Sequence, residues 1–560
     1  MNPTTTDALL PDDALEAFAG AMEAAIAREF PQAPATAVTF EAPRRPEFGD
    51  FATNVAFTLA KTARRSPGDV AALLIESLRA SAPAVAAQFS SIEAVAGFIN
   101  LRLAPAVWHA LLATVLRDGT AFGHRAPSGK RISLEFGSAN PTGPLVVVQG
   151  RTLSIGDTLA RAMRYCGYDV FVEWIINDSG SQMDTLGRSL YARYMQRFDP
   201  AYPFPEDGYP GEYLLPIAER IASLEGETWR NAPESDWLPF FARFGRDTIV
   251  TEQQATAARF GVRYDLWQSE RELHESGRVR DDIAHLRDLG HTYEQDGALF
   301  FRASQFGDDK DRVVVRSDGR PTYYGADIAY HYEKLKRSDR VIDILGPDHH
   351  GYIGRLRGLA EALGYPGQLD VLIAQQITLL RGGEQVSMSK RAGNIITLDD
   401  ILDEVGVDAA RFFFSMLATE SPLTFDLQLA VDQSSENPVY YVQYGHARIA
   451  SVLRRAEQAD VTAALSAPLD VLTAASELNL TRRLAELPRV VGGVVEHLAP
   501  HRLAKYARDV ATDFHQFYTE CTILVPQRDV RLARLALCAA TKTVLAQVLD
   551  LIGVSAPDTM

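Results

Sequence analysis

The chain has 560 residues, 46% hydrophobic and 23% charged, the balance of a soluble globular protein rather than a disordered or fibrous one. That length exceeds one core, so two to four domains are expected. A net charge of −16 excludes a bulk polycation that coats nucleic acid but leaves room for local basic strips. Three scattered cysteines, Cys166, Cys521 and Cys538, supply neither a disulfide framework nor a C-x-x-C pair. The amino terminus lacks the basic flank and apolar run of a secretory signal, and no uninterrupted apolar stretch of about 18 residues is present. A cytoplasmic location with no membrane partner is expected.

In chain order, residues 13–118 read as a small α+β unit. Helical patterning in DDALEAFAGAMEAAIAREF and SPGDVAALLIESLRASA, where Ser66 is the expected N-cap before Pro67, flanks the alternating run IEAVAGFINLRLA. The Gly-, Pro- and charge-rich segment 119–130 is a predicted linker. RISLEF (131–136) predicts a strand, LSIGDTLARAMRYC a helix closed by Gly167, and DVFVEWII (169–176) a second strand. This β-loop-α-β pattern opens a doubly wound nucleotide-binding sheet, with the loop SANPTGPLVVVQG at a helix N-terminus where backbone N–H groups point at phosphate. Asn140, Pro141 and Gly143 permit a tight turn, and Gly150 would let the backbone approach a ligand. Taken alone, the loop equally fits a plain strand-to-helix turn.

Residues 181–300 are expected to form a largely helical insertion, after which the parallel core resumes with RVIDILG (340–346) and DVLIAQQITLL (370–380). In GGEQVSMSKRAGN (382–394), a Gly-Gly turn and short strand lead to Met388, Ser389, Lys390 and Arg391, a basic loop suited to holding a triphosphate. From residue 405 the pattern is helical almost to the end. DHH at 348–350 could suggest a metal, but three adjacent residues seldom all reach one ion, and no dedicated metal site is expected.

The segments EFGSANPTGPL, IINDSGSQ, TYYGADIAYH, GPDHHGY, MSKRAGNIITLDDILDEVGVDAARFFF and NPVYYVQYGHARI resemble, in the same order, those of bacterial class I arginyl-tRNA synthetases. PEFGDFATNVA and GFINLRL resemble that family's N-terminal domain, and HRLAKYARDV with GVSAPDTM its anticodon-binding domain. The resemblance covers nearly the whole chain. It implies an α/β plus α architecture: an N-terminal α+β domain (13–118) that meets the tRNA D-loop, a Rossmann-like class I catalytic domain (125–404) with a helical insertion at about 181–300, and a helical-bundle anticodon-binding domain (405–560). The implied activity is ATP-dependent activation of L-arginine to arginyl-adenylate and transfer to tRNA(Arg), with Mg2+ travelling with ATP, by a monomer.

At the matching positions, the resemblance assigns ATP binding to Asn140, Pro141, Gly143, Val146, Val147, Val148, Gln149, Gly150, His349, Met388 and Lys390, with Gln149, Ser389 and Lys390 as catalytic groups. Arginine falls to Glu135, Asn140, Tyr323, Asp327 and His349; its guanidinium has five donors and no acceptor and so needs carboxylates. Tyr323 and Asp327, four apart, would share a helix face. For tRNA the assigned residues are Phe98, Asn100, Tyr441, Tyr444, His446, Arg448 and Met560.

Two departures bear on activity. Where the family has His-x-Gly-His this chain has Val146-Val147-Val148-Gln149, and where it has Lys-Met-Ser-Lys this chain has Ser387-Met388-Ser389-Lys390. Loss of one preorganised donor, uncompensated, costs about 3–4 kcal/mol. Gln149 retains an NH2 donor, and Arg151, Lys390 and Arg391 are further cations at hand. The rival readings are a non-catalytic paralogue that binds tRNA or arginine, and a class I ligase for another amino acid. A non-cationic substrate would leave Glu135 and Asp327 unpaired.

Overall fold

The computed structural model describes residues 11–41, 43, 45–349, 351–386 and 396–560; the expectations for Met388, Ser389 and Lys390 lie outside them. Near the N-terminus the antiparallel strands β1 (Phe51–Thr53), β2 (Phe89–Val95) and β3 (Phe98–Leu103) form a sheet with β3 in the middle. Helix α1 (Pro67–Ser81) packs on it through Val70, Ala71, Leu74, Ile75 and Leu78. Ser66 is its N-cap as expected: the hydroxyl accepts the Asp69 N–H at 3.1 Å, and Pro67 occupies the first helical position, where an N–H would have no partner.

Next come β4 (Arg131–Phe136), helix α2 (Val147–Tyr165) and β5 (Asp169–Ile176). The two strands match the sequence reading, and the chain leaves α2 through left-handed Gly167 (φ 83°). Helices α3 (Ser181–Met195), α4 (Leu214–Glu225) and α5 (Glu234–Arg259) build a satellite core around Leu186, Leu190, Ile217, Phe241 and Ile249. The helical insertion ends earlier than expected. Strand β6 (Leu266–Ser269) already rejoins the parallel sheet, and β7 (Thr292–Gln295), β8 (Ala298–Phe301) and β9 (Arg312–Val315) form a small antiparallel sheet. Strands of four residues with mixed polarity, such as LWQS and TYEQ, are too short to show a period of two.

Helix α6 (Tyr323–Arg337) leads to β10 (Arg340–Leu345) and β11 (Leu369–Ile373), completing a five-stranded parallel sheet of order β11-β10-β4-β5-β6. The run 370–380, expected to be a single parallel strand, divides: after β11 the chain turns, and β12 (Ile377–Arg381) joins a second sheet with β13 (Glu384–Gln385) and β14 (Leu423–Asp426). The break falls at the polar pair Gln375-Gln376, where the fully buried Arg151 of α2 binds the Gln375 carbonyl at 2.8 Å, along with those of Ala418 (2.9 Å) and Ser421 (2.8 Å). Helix α7 (Leu398–Phe414) precedes β14, and the C-terminal bundle contains α8 (Pro438–Arg455), α9 (His501–Glu520) and α10 (Arg528–Ile552). Among the described residues α10 alone is long and apolar enough to cross a bilayer, and 72% of that stretch is buried inside the fold, as in a core helix.

Parallel pairing aligns Asp343 of β10 with Glu135 of β4, and Glu135 with Glu173 of β5, a row of three buried acids. Helix α6 answers with His331, Lys334 and Arg337 at every third position. Lys334 donates to Glu135 Oε2 at 2.7 Å and also to Asp343; His331 Nε2 lies 2.9 Å from Asp343 Oδ2; Arg337 pairs with Glu173. Burial opposes these charges, yet the three acids hold Lys334 above the usual lysine value, while Lys334 and His331 bring Asp343 down to about 2. Removing one partner of a buried pair costs about 3–5 kcal/mol. Lys334→Met is therefore expected to lower stability by about that amount, read as a fall in the urea midpoint of tryptophan fluorescence, whereas Lys336→Met, on the exposed side of the same helix, leaves the midpoint unchanged.

Candidate active site

In an open parallel sheet, ligands bind beyond the carboxyl ends of the strands where strand order reverses. Here that point lies between β4 and β10, so the loop 137–146 and the turn 346–349 face one crevice. The first loop is held from several sides. Gln253 donates its amide protons to the carbonyls of Asn140 (3.1 Å) and Gly143 (2.8 Å), the Tyr213 hydroxyl donates to the Thr142 carbonyl, and Asn177 Nδ2 donates to Asn140 Oδ1 at 3.2 Å. Ser138 donates to Glu135 Oε1 (3.0 Å) and accepts the Ile175 N–H (3.1 Å).

Val146 is the N-cap of α2, and the Gln149 side-chain oxygen accepts its N–H at 3.2 Å. That bond orients the amide, leaving Gln149 Nε2 as a donor with no protein partner among the described residues, beside the first N–H groups of α2. Val146 also bridges to Thr397, and the Leu398 N–H donates to the Leu145 carbonyl at 2.7 Å. The first turn of α7, just past the basic loop, is thereby joined to the N-terminus of α2. Segments far apart in sequence, Leu145–Val146 and Thr397–Leu398, meet at one edge.

Three expectations for this stretch need correction. Val147 is 1% exposed and faces the core, so only its backbone is open to a ligand. Gly150 serves packing rather than ligand approach: a Cβ there would lie 2.6 Å from Leu398 and 3.0 Å from Phe414 side-chain atoms. Arg151 cannot stand in for a lost histidine, because it is buried, bound to three carbonyls and pushed down to about 10 by desolvation.

A cavity of about 540 Å³ opens beside this edge, lined by Ser179, Gly180, Glu270, His274, Arg316 and Tyr323 among others. Tyr323, on the first turn of α6, donates to the Ser179 carbonyl at 3.3 Å. Gly180 (φ 83°) makes this possible, since a Cβ would sit 1.8 Å from the Tyr323 hydroxyl. One turn into α6 stands Asp327. Burial raises it to about 6, against the pull of His331 and Arg355. Burial, with Asp327 and Asp178 nearby, raises Glu270 to about 7. Neither carboxylate accepts a hydrogen bond among the described residues, and the nearest cation to Glu270 is His274 at 3.9 Å. Two unpaired acids, one buried and one half-buried, that disfavour each other's charge are suited to a cationic ligand.

Glu135 is 5% exposed, with its oxygens already engaged by Lys334 and Ser138. Asn140 is exposed at the loop tip and Pro141 is buried beneath it. His349 occupies the short turn after β10, its ring edge-on to Tyr352 at 5.3 Å. Among the described residues, the cluster with metal-ligand spacing is Glu135, His331 and Asp343, and the Lys334 ammonium fills it. Sequence reasoning missed Glu270, one of several acids in SERELHE, and Gln253, inside a long helix; only burial distinguishes them.

Of the residues expected to meet RNA, Phe98 packs edge-to-face with Phe57 at 4.9 Å and Phe57 is 43% exposed, whereas Asn100 of the same strand is buried. On α8, Tyr440 and Tyr444 stack at 5.9 Å, Arg448 lies 4.6 Å over the Tyr444 ring and donates to its hydroxyl at 2.7 Å, and Tyr441 meets His515 of α9 at 4.8 Å. These residues line a cavity of about 270 Å³. His446 is corrected: 2% exposed, it holds the Pro557 carbonyl at 2.9 Å and anchors the C-terminal tail, which ends in Met560, 56% exposed.

Family models match the chain in three places: an arginyl tRNA synthetase N terminal domain at 14–103, a class I (R) tRNA synthetase catalytic domain at 233–416, and a DALR anticodon binding domain at 442–560. The arginine–tRNA ligase of Syntrophotalea carbinolica is 44% identical over 529 residues, 93% of this chain and 95% of that one. That of Moorella thermoacetica is 44% identical over 526 residues, 93% of each. The arginyl-tRNA synthetase structure from Thermus thermophilus covers 97% of this chain and 100% of its own, with a TM-score of 0.75 at 23% identity, a likeness of fold. With identity of this extent, the chain belongs to the arginyl-tRNA synthetase family, the class I arginine–tRNA ligases.

Proposed function

We propose that the protein activates L-arginine with ATP and transfers it to tRNA(Arg), and that Val146–Gln149 is a working variant of the ATP loop. The observation that carries this reading is the pair of unpaired acids, buried Glu270 and half-buried Asp327, beside Tyr323. The arginine guanidinium donates to those carboxylates and to the Tyr323 oxygen. Its α-amino and carboxylate end lies toward Glu135, Asn140 and His349.

The phosphates of ATP lie against the N-terminus of α2, where the backbone N–H groups, the helix dipole and Gln149 Nε2 favour negative charge. The arginine carboxylate attacks the α-phosphorus, the bond to pyrophosphate breaks, and arginyl-adenylate forms. A terminal ribose hydroxyl of tRNA then attacks the acyl carbon and AMP leaves. Ser389 and Lys390 supply hydrogen bonds and positive charge to the departing pyrophosphate. Catalysis is mainly positioning and charge stabilisation. Mg2+ accompanies ATP as a counter-ion; the described residues offer it no free ligand cluster, because the Glu135–His331–Asp343 group is filled.

Residues 13–118 meet the tRNA D-loop through the surface around Phe98, with buried Asn100 behind it, residues 125–404 perform the chemistry, and residues 405–560 read the anticodon through Tyr441, Tyr444, Arg448 and Met560. The enzyme acts in the cytoplasm as a monomer. The decisive test is charging of tRNA(Arg) with labelled arginine, ATP and Mg2+. Wild-type protein charges, while Gln149→Ala and Lys390→Ala each fall roughly 100-fold. Tight tRNA binding without charging by the wild type would identify a binding paralogue instead.

Arginine affinity should also follow pH. Glu270 and Asp327 ionise above about 7 and 6, and only the ionised forms pair with guanidinium. In the free protein, each raised carboxyl reduces folded-state stability as pH climbs from its ordinary value, about 4, through its raised one. Arginine binding opposes that loss. Calorimetry should therefore show full affinity at pH 8 and a fall of roughly 10- to 100-fold by pH 5.5. Glu270→Gln should weaken binding at pH 8 and remove the component near pH 7; affinity independent of pH would exclude the two acids as ligands.

A further inference from the structure

We propose that helix α5, outside the parallel sheet, is a strut that sets the spacing of three substrate loops, with Gln253 as its central positioning residue. Arg246, Gln253, Thr256 and Arg259 follow at intervals of seven, three and three, which places them along one face over about 20 Å of helix. Together they reach three different parts of the crevice.

At the near end, Arg246 grips Asp178 in the loop after β5 at 2.9 and 2.5 Å. Asp178, 4% exposed, in turn accepts from the Ser269 hydroxyl (2.8 Å) and the Arg271 N–H (3.0 Å), the two residues flanking Glu270. In the middle, Gln253, 1% exposed, spends both amide protons on the carbonyls of Asn140 and Gly143 and so spans the turn of the first loop. At the far end, the Thr256 hydroxyl donates to Asp399 at 2.5 Å, and Arg259 binds Asp399 (2.7 Å) and Asp403 (2.5 Å) on the first turns of α7, just past the basic loop. Helix α5 is also locked to α3 by Phe241 and Ile249 in the satellite core. One rigid helix thus fixes the floor of the acid pocket, the first loop and the base of the second relative to one another.

What those loops bind rests on the proposed arginine and ATP sites; their mechanical linkage rests on the contacts alone. The test pairs kinetics with hydrogen exchange. In Gln253→Leu, similar in size but without donors, KM for both ATP and arginine should rise and kcat fall, about 10- to 100-fold in kcat/KM, with KM for tRNA unchanged. Gln253→Glu, left with at most one donor and only when protonated, should also be impaired. Amides of 138–146 and 397–403 should exchange at least about 10-fold faster than in wild type, a readout independent of catalysis. Arg259→Ala, at an exposed site, should reproduce a smaller rise in KM for ATP and faster exchange in 397–403. Folded variants with wild-type exchange in both loops overturn the strut, as does a defect confined to KM for tRNA. A wild type that fails to charge refutes the proposed function, and the exchange data still decide the strut.

Discussion

Three carboxylates side by side on neighbouring strands, Asp343, Glu135 and Glu173, cannot stay charged in the interior without cations of matching spacing. Helix α6 supplies them at 331, 334 and 337, and the match fixes both the rotation of that helix and its height over the sheet. Tyr323 and Asp327 lie on the same face, at four-residue steps before His331. The ion row that secures the helix therefore also delivers the tyrosine and the aspartate to the crevice. Glu135 belongs to both systems, since Ser138 connects it to the first loop.

The other half of the crevice depends on α2 and α7. Their N-termini are tied by the Leu145–Leu398 hydrogen bond and the Val146–Thr397 bridge, and Gly150 lets Leu398 and Phe414 approach the helix closely. The backbone geometry of a helix N-terminus persists even where the usual side chains are replaced. Valines at 146–148 remove polar side chains but not the backbone N–H groups, whose direction is set by the helix. Gln149 performs two tasks: its oxygen caps the helix, and its nitrogen faces outward. A histidine ring at that position would carry its polar atoms differently, which is why the substitution alters the donor set without dismantling the loop.

Much of this was legible in the residues. The β4-loop-α2-β5 unit, the N-cap at Ser66 and the helical C-terminal third rest on periodicity and local hydrogen-bonding preferences, which act over a few residues. The run 370–380 and the segment 266–315 were not legible, since a break between two sheets and strands of four residues leave no periodic trace.

For the site, sequence by itself determined the inventory: an Asn-Pro-Thr-Gly loop at a helix start, a tyrosine and an aspartate four apart, a basic loop 240 residues on, and a Tyr-rich helix near the end. Tertiary structure alone decided which of these face the crevice. Arg151 and His446 turned inward to hold carbonyls, while Glu270 and Gln253, unremarked in their helices, became a pocket acid and a loop clamp. The reason is that burial and hydrogen-bond partners of a polar side chain depend on distant elements closing over it, and local spacing encodes neither.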